Sequence, residues 1–163
     1  MALILAGLSA LFYGVADFSG GLAAARSRLL SVLILSQAMG LTVAVAGLAF
    51  LGHDLPPVRD LGWGLLAGIT GALGLFMLYG GLARSLVAVV SPLSALVGAV
   101  IPVLFAVCMG ERPTPNALAG CLLCLPAILL LSWERGGGPQ DRRLVRSAVA
   151  YGGLAGLGFG MFF

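Results

Sequence analysis

Long apolar stretches separated by short polar segments dominate the chain. An apolar run of about 20 residues crosses a hydrocarbon core of about 30 Å as a helix. Five such runs are followed by a sixth that reaches the last residue with no polar segment after it. The runs cover residues 2–25, 29–51, 61–83, 86–109, 116–133 and 147–163. The pattern predicts an all-α integral membrane protein, with a five-helix transmembrane bundle plus a truncated sixth helix.

The connectors and the composition agree with a compact bundle in lipid. Segments 26–28 and 84–85 are so short that the helices they join must lie antiparallel and side by side. Only 9% of the 163 residues are charged, against about a quarter in soluble domains, which excludes a water-soluble globule. The net charge of +3 forms no basic stripe, so the expected partner is the lipid bilayer and not nucleic acid.

An internal repetition divides the chain. The repeated positions are Ser9, Ala10, Tyr13, Gly14 and Gly20, and then Ser147, Ala148, Tyr151, Gly152 and Gly158. The two copies start five helices apart, an odd number, so the second copy enters the membrane from the opposite face, as in the inverted repeats of secondary transporters. We therefore expect a first five-helix unit, 1–133, an arginine-rich linker, 134–146, and the incomplete start of a second unit, 147–163. A missing C-terminal half or a second copy is then an expected partner.

The arginines predict the orientation. Those after the first, third and fifth runs are Arg26, Arg28, Arg84, Arg135, Arg142, Arg143 and Arg146, and those on the other side are Arg59 and Arg112. Basic residues accumulate on the cytoplasmic side, so this distribution predicts an outside N-terminus and a cytoplasmic linker.

Asp17 is the only ionisable residue deep inside a run. At 1.5 Å per residue it lies about 5 Å from the expected midplane, where an acid costs roughly 2.5–3.5 kcal/mol. Tyr13 lies one turn earlier on the same helix face, and Gln37 is a polar residue of the second run. We interpret Asp17, Tyr13 and Gln37 as a substrate or proton-coupling site. The alternative is that the acid and the amide join helices through hydrogen bonds.

Other polar and small residues inside the runs are weaker candidates. Thr70 and Ser94 can satisfy their hydroxyls on their own backbone. A row of small residues in the third run favours close helix packing, although the same row could form the smooth wall of a substrate path; the row is Gly64, Gly68, Gly71 and Gly74. Pro92 and Pro102 interrupt the fourth run and are candidate helix hinges, since each frees backbone carbonyls.

Signatures of enzymes and cofactors are absent from the sequence. His53 stands beside Asp54 with no second His or nearby Cys to complete a metal shell, and no phosphate-binding loop or nucleophile elbow is found. We therefore predict no enzyme activity, no catalytic residue, no cofactor and no metal.

The junction after the fourth run carries a more specific pattern. Gly110, Glu111 and Arg112 are followed by Thr114, Pro115 and Gly120, and the stretch 13–21 around Asp17 opens a five-helix unit. This pattern resembles the EamA branch of the drug/metabolite transporter superfamily. Glu111 at a helix end beside Arg112 also fits a simple ion pair at the membrane surface.

The resemblance implies a ten-helix transporter of two inverted five-helix units. Members move small metabolites or drugs, often outward, by alternating access, and usually place the N-terminus in the cytoplasm, opposite to the arginine distribution. We expect a secondary transporter and exporter in a cell membrane, specifically a bacterial inner membrane, with a substrate path between the first four helices. The alternatives are a membrane-embedded lipid-processing enzyme and an inactive truncated fragment.

Overall fold

A computed structural model describes residues 2–51, 57–110, 119, 122–123, 126 and 139–162. Five helices can be followed from end to end: α1 (Ala2–Arg26), α2 (Leu29–Leu51), α3 (Val58–Arg84), α4 (Val87–Cys108) and α5 (Pro139–Phe162). Residues 119, 122–123 and 126 are helical as well. The described residues contain no strand, so the all-α prediction is confirmed.

Helices α1 to α4 are the four in the described ranges that are long and apolar enough to cross a membrane. Their bounds follow the predicted runs, although α3 begins at Val58 and not at Leu61. The predicted fifth span, 116–133, lies almost wholly outside the described residues. Helix α5 begins at Pro139, ahead of the predicted start at Ser147, because the arginine-rich segment 142–146 continues the helix. Proline suits such a first helical position.

The short connectors are as tight as predicted. Ser27 and Arg28 join α1 to α2, and Ser85 and Leu86 join α3 to α4. Ser85 ends α3 by donating from its backbone N–H to the Gly81 carbonyl oxygen at 2.9 Å and from its hydroxyl to the same oxygen at 2.6 Å. These bonds satisfy a carbonyl that the helix end would otherwise leave unpaired.

The most extensive packing joins α5 to α4, the helix before it in the described order, and to α3. Gly71 of α3 lies against Phe162, and Gly81 lies against Tyr151, so α5 runs antiparallel to α3. Gly20 of α1 lies against Tyr79, and Tyr13 shares a cavity with Gly68, so α1 runs parallel to α3. Helices α1 and α5 therefore cross in opposite directions.

The buried core lies where α3, α4 and α5 meet. Leu78, Val90, Ala148 and Ala155 are at most 1% exposed. Small residues allow the backbones to approach closely: a Cβ added to Gly158 would lie 2.7 Å from the Gly74 Cα. In contrast, large side chains on the outer faces are exposed, as Phe50 illustrates at 92%. An apolar exterior is what a lipid environment requires.

Candidate functional site

Two adjoining cavities open between the helices. The larger, about 390 Å³, is lined by residues of α1, α3, α4 and α5, and the smaller, about 260 Å³, by residues of α1, α2, α3 and α5. Tyr13, Leu75 and Phe159 line both cavities and stand between them. The walls of these cavities thus include residues of α5 besides those of the four helices between which the substrate path is predicted.

All three residues predicted to form the site line these cavities. Tyr13 lines both, Asp17 lines the larger and Gln37 lines the smaller. Tyr13 and Asp17 share one face of α1 because they are four residues apart, whereas Gln37 joins them from α2 through tertiary packing. The arrangement places a carboxyl, a phenol and an amide around mostly apolar walls, which is typical of a small-molecule site.

Tyr79 is a neighbour of Asp17 that the sequence reasoning missed. Its side chain is 5% exposed and packs on Gly20, where no larger residue leaves room for the ring. It also lies within interaction range of the Asp17 carboxyl and of the Ser36 side chain. The sequence feature that could have drawn attention to Tyr79 is that the chain has only three tyrosines. Its proximity to α1 arises from helix packing and has no local signature.

The hydroxyls of Ser94 and Thr70 donate hydrogen bonds to backbone carbonyls of their own helices, as predicted. Ser94 donates to the Ser91 carbonyl oxygen at 2.8 Å, and Thr70 donates to the Ala67 carbonyl oxygen at 2.9 Å. Each bond stays within its own helix, so neither hydroxyl is needed to join two helices. Ser94 still contributes to the wall of the larger cavity, together with Ser91.

The glycine row of α3 divides into two parts. Gly71 and Gly74 pack against Phe162 and Phe159 of α5, as the packing interpretation requires. At Gly64 and Gly68 no described atom lies within 4 Å of an added Cβ, so close packing there stays a prediction. Gly68 instead lines the smaller cavity with Gly71, which is the smooth-wall alternative.

The two candidate hinge prolines occupy different positions in α4, which stays helical through both. Pro102 lines the larger cavity, and Pro92 is not among the described residues that line it. A proline in a helix leaves the carbonyl four residues before it without its usual donor. Bending at Pro102 would therefore change the cavity wall directly.

Of the junction motif Gly110, Glu111 and Arg112, the structure describes Gly110. Gly110 has a φ of +86°, a conformation that residues with a Cβ rarely adopt, and its N–H donates to the Val107 carbonyl oxygen at 3.0 Å. The glycine is therefore needed to turn the chain at the end of α4. Glu111 and Arg112 lie outside the described residues.

Charged groups are scarce around the cavities. Asp17 is the one ionisable acid in the lining that the structure describes, and no Arg or His accompanies it there. No group of three His, Cys, Asp or Glu side chains that could hold a metal is found in the described part of the chain. The described polar groups can hydrogen-bond a ligand, and the Asp17 carboxyl can in addition pair with a cation or exchange a proton.

Comparisons with known proteins agree with this architecture. Residues 1–133 match the EamA-like transporter family. No curated protein and no solved structure matches the chain. The matched residues include all four candidate membrane spans and the residues that line both cavities from α1 to α4. The chain therefore belongs to the EamA-like transporter family and is a multi-pass membrane protein.

Proposed function

We propose that this protein is a secondary transporter that exports small metabolites or drugs by alternating access, with Asp17 as its substrate- or proton-coupling residue. The observation that carries the proposal is the convergence of Tyr13, Asp17 and Gln37 on two adjoining cavities between apolar helices. Family membership supports transport as the general activity.

The position of Asp17 supports the coupling role. An acid inside a membrane helix is energetically costly and is retained mainly where it serves substrate or ion movement. Asp17 lines the larger cavity, so it can meet a ligand as well as a neighbouring helix. Its carboxyl can bind and release a proton as access alternates, whereas an amide in the same place keeps hydrogen bonds but cannot carry charge.

The opposite directions of α1 and α5 support a transporter of two inverted units. The sequence repetition relates Tyr13 to Tyr151, and these two residues belong to helices that cross in opposite senses. Two such units create a pathway that opens alternately to each side. In this proposal Pro92 and Pro102 are hinges of α4.

The proposal is tested on the full-length protein in vesicles that contain a pH-sensitive dye. A panel of amino acids and amphiphilic drugs is first screened for compounds that drive proton movement. The substitution Asp17→Asn should abolish that movement while the protein still inserts normally. Asp60→Asn is the matched control, because Asp60 is an exposed acid in the first turn of α3, and it should transport like the wild type. An unchanged rate and pH profile in Asp17→Asn would show that Asp17 only joins helices.

A further inference from the structure

A third cavity lies apart from the two that contain Asp17. It is a crevice of about 100 Å³ where α1 meets the end of α3 and the start of α4. Its lining residues are Phe18, Gly21, Leu22, Ala25, Leu82 and Val87. Every one of them is apolar, and none lines the other two cavities. The crevice therefore takes an apolar group and has no evident part in the proposed transport path.

The crevice leads directly to an arginine. Phe18, Leu22 and Ala25 follow the helical spacing i, i+4 and i+7, and Arg26 occupies the next position of the same face, i+8. Arg26 is exposed and lies in the last turn of α1. A molecule whose apolar part enters the crevice would thus have its polar part beside a guanidinium at the membrane surface.

The same end of the bundle gathers most of the positive charge. Because α5 is antiparallel to α3 and Tyr151 lies against Gly81 near the end of α3, the part of α5 before Tyr151 lies at and beyond this end of α3. The arginines brought to this end are Arg26, Arg28, Arg84, Arg142, Arg143 and Arg146, and all six are exposed. Asp141 is the one acid in the described helices at this end. At the opposite end, Arg59 and Asp60 stand side by side in the first turn of α3, so their charges balance.

We propose that the crevice and Arg26 form a binding site for one anionic phospholipid. A short segment of one acyl chain occupies the crevice, and the phosphate accepts hydrogen bonds from the Arg26 guanidinium, whose planar donors match phosphate oxygens. The surrounding arginines raise the local concentration of anionic headgroups. Charge complementarity selects an anionic lipid over a zwitterionic one, since the latter's positive group would face this excess of arginine.

The test uses native mass spectrometry of the full chain with phosphatidylglycerol or phosphatidylcholine added in mixed micelles. Arg26→Gln should weaken phosphatidylglycerol binding about fivefold, the effect of one interfacial arginine, and leave phosphatidylcholine binding unchanged. Arg59→Gln is the matched control, because Arg59 is an exposed arginine in a helical terminal turn at the other end. It should alter neither lipid.

A second pair of variants tests the crevice itself. Ala25→Phe fills it from α1 and Val87→Phe fills it from α4, and both native side chains are exposed, so at least one variant should fold. Each folded variant should lose binding of phosphatidylglycerol. Equal effects of Arg26→Gln and Arg59→Gln would overturn the proposal in favour of general charge attraction. Undiminished binding in a folded crevice variant would also overturn it, as would competition by soluble glycerol phosphate at equal concentration.

Discussion

Gly156 of α5 lies tightly against α4 and provides a test of this packing. A Cβ added there would lie 2.5 Å from the Val97 Cβ and 2.8 Å from the Ser94 carbonyl oxygen. The oxygen belongs to the backbone of α4 and cannot rotate away, so Gly156→Ala must push the two helices apart. Overpacking of this kind costs about 1–3 kcal/mol.

Gly153 provides the control on the same helix, because no atom of the residues that the structure describes lies within 4 Å of a Cβ added there. Alanine favours a helix over glycine by about 0.8–1.0 kcal/mol, so Gly153→Ala should gain roughly that stability. Gly156→Ala receives the same intrinsic gain. The difference between the two variants therefore isolates the packing cost, and we expect Gly156→Ala to be about 1–3 kcal/mol less stable than Gly153→Ala.

Equilibrium unfolding in mixed micelles, followed by far-ultraviolet circular dichroism during titration with a denaturing detergent, measures this difference. Equal free energies of unfolding for the two variants would refute the close packing of α5 on α4 at Gly156. A shift of α5 would also affect the two cavities, because Phe159 lies one turn from Gly156 and lines both of them. A displaced α5 would therefore move the wall that stands between the two cavities.

Three further outcomes are expected. Ser94→Ala should change the free energy of unfolding by less than about 0.5 kcal/mol, because the lost hydrogen bond stays within its own helix; a larger loss in the same unfolding titration would indicate a partner on another helix. Tyr79→Phe keeps the ring on Gly20 but removes the hydroxyl near Asp17, so it should shift the pH profile of transport more than protein abundance; an unchanged profile would count against this. In a cysteine-free background, Asp54→Cys should be labelled by an impermeant thiol reagent in intact cells and Gln140→Cys should be protected; the reverse pattern would invert the orientation.

The membrane spans could be predicted from the sequence because they depend on local composition. Each apolar run must satisfy its backbone hydrogen bonds within itself in lipid, so length and hydropathy alone decide that it is a helix. This is why the predicted ranges of α1 to α4 agree closely with the structure. The start of α5 was misplaced because arginine is a good helix former, so a polar segment such as 142–146 ends an apolar run without ending the helix.

The candidate site was predictable only in part. Asp17 and Tyr13 were identified together because their spacing on one helix fixes a shared face. Phe159 and Tyr79 could not be identified, since their places beside the cavities depend on contacts between α5, α3 and α1. No spacing within one segment contains that information.

The glycines of α3 show that the role of a small residue depends on tertiary packing and cannot be predicted from the sequence alone. Gly64, Gly68, Gly71 and Gly74 form one regular row, yet two of them pack against α5 and two have no described atom close to an added Cβ. A glycine permits close approach and exerts no attraction of its own, because it lacks a side chain. Its role is therefore set by the helix that arrives beside it. The sequence by itself determined which segments are helices and which acid lies among them, and only the packing of α5 against α3 and α4 decided which small residues became contacts and which became cavity wall.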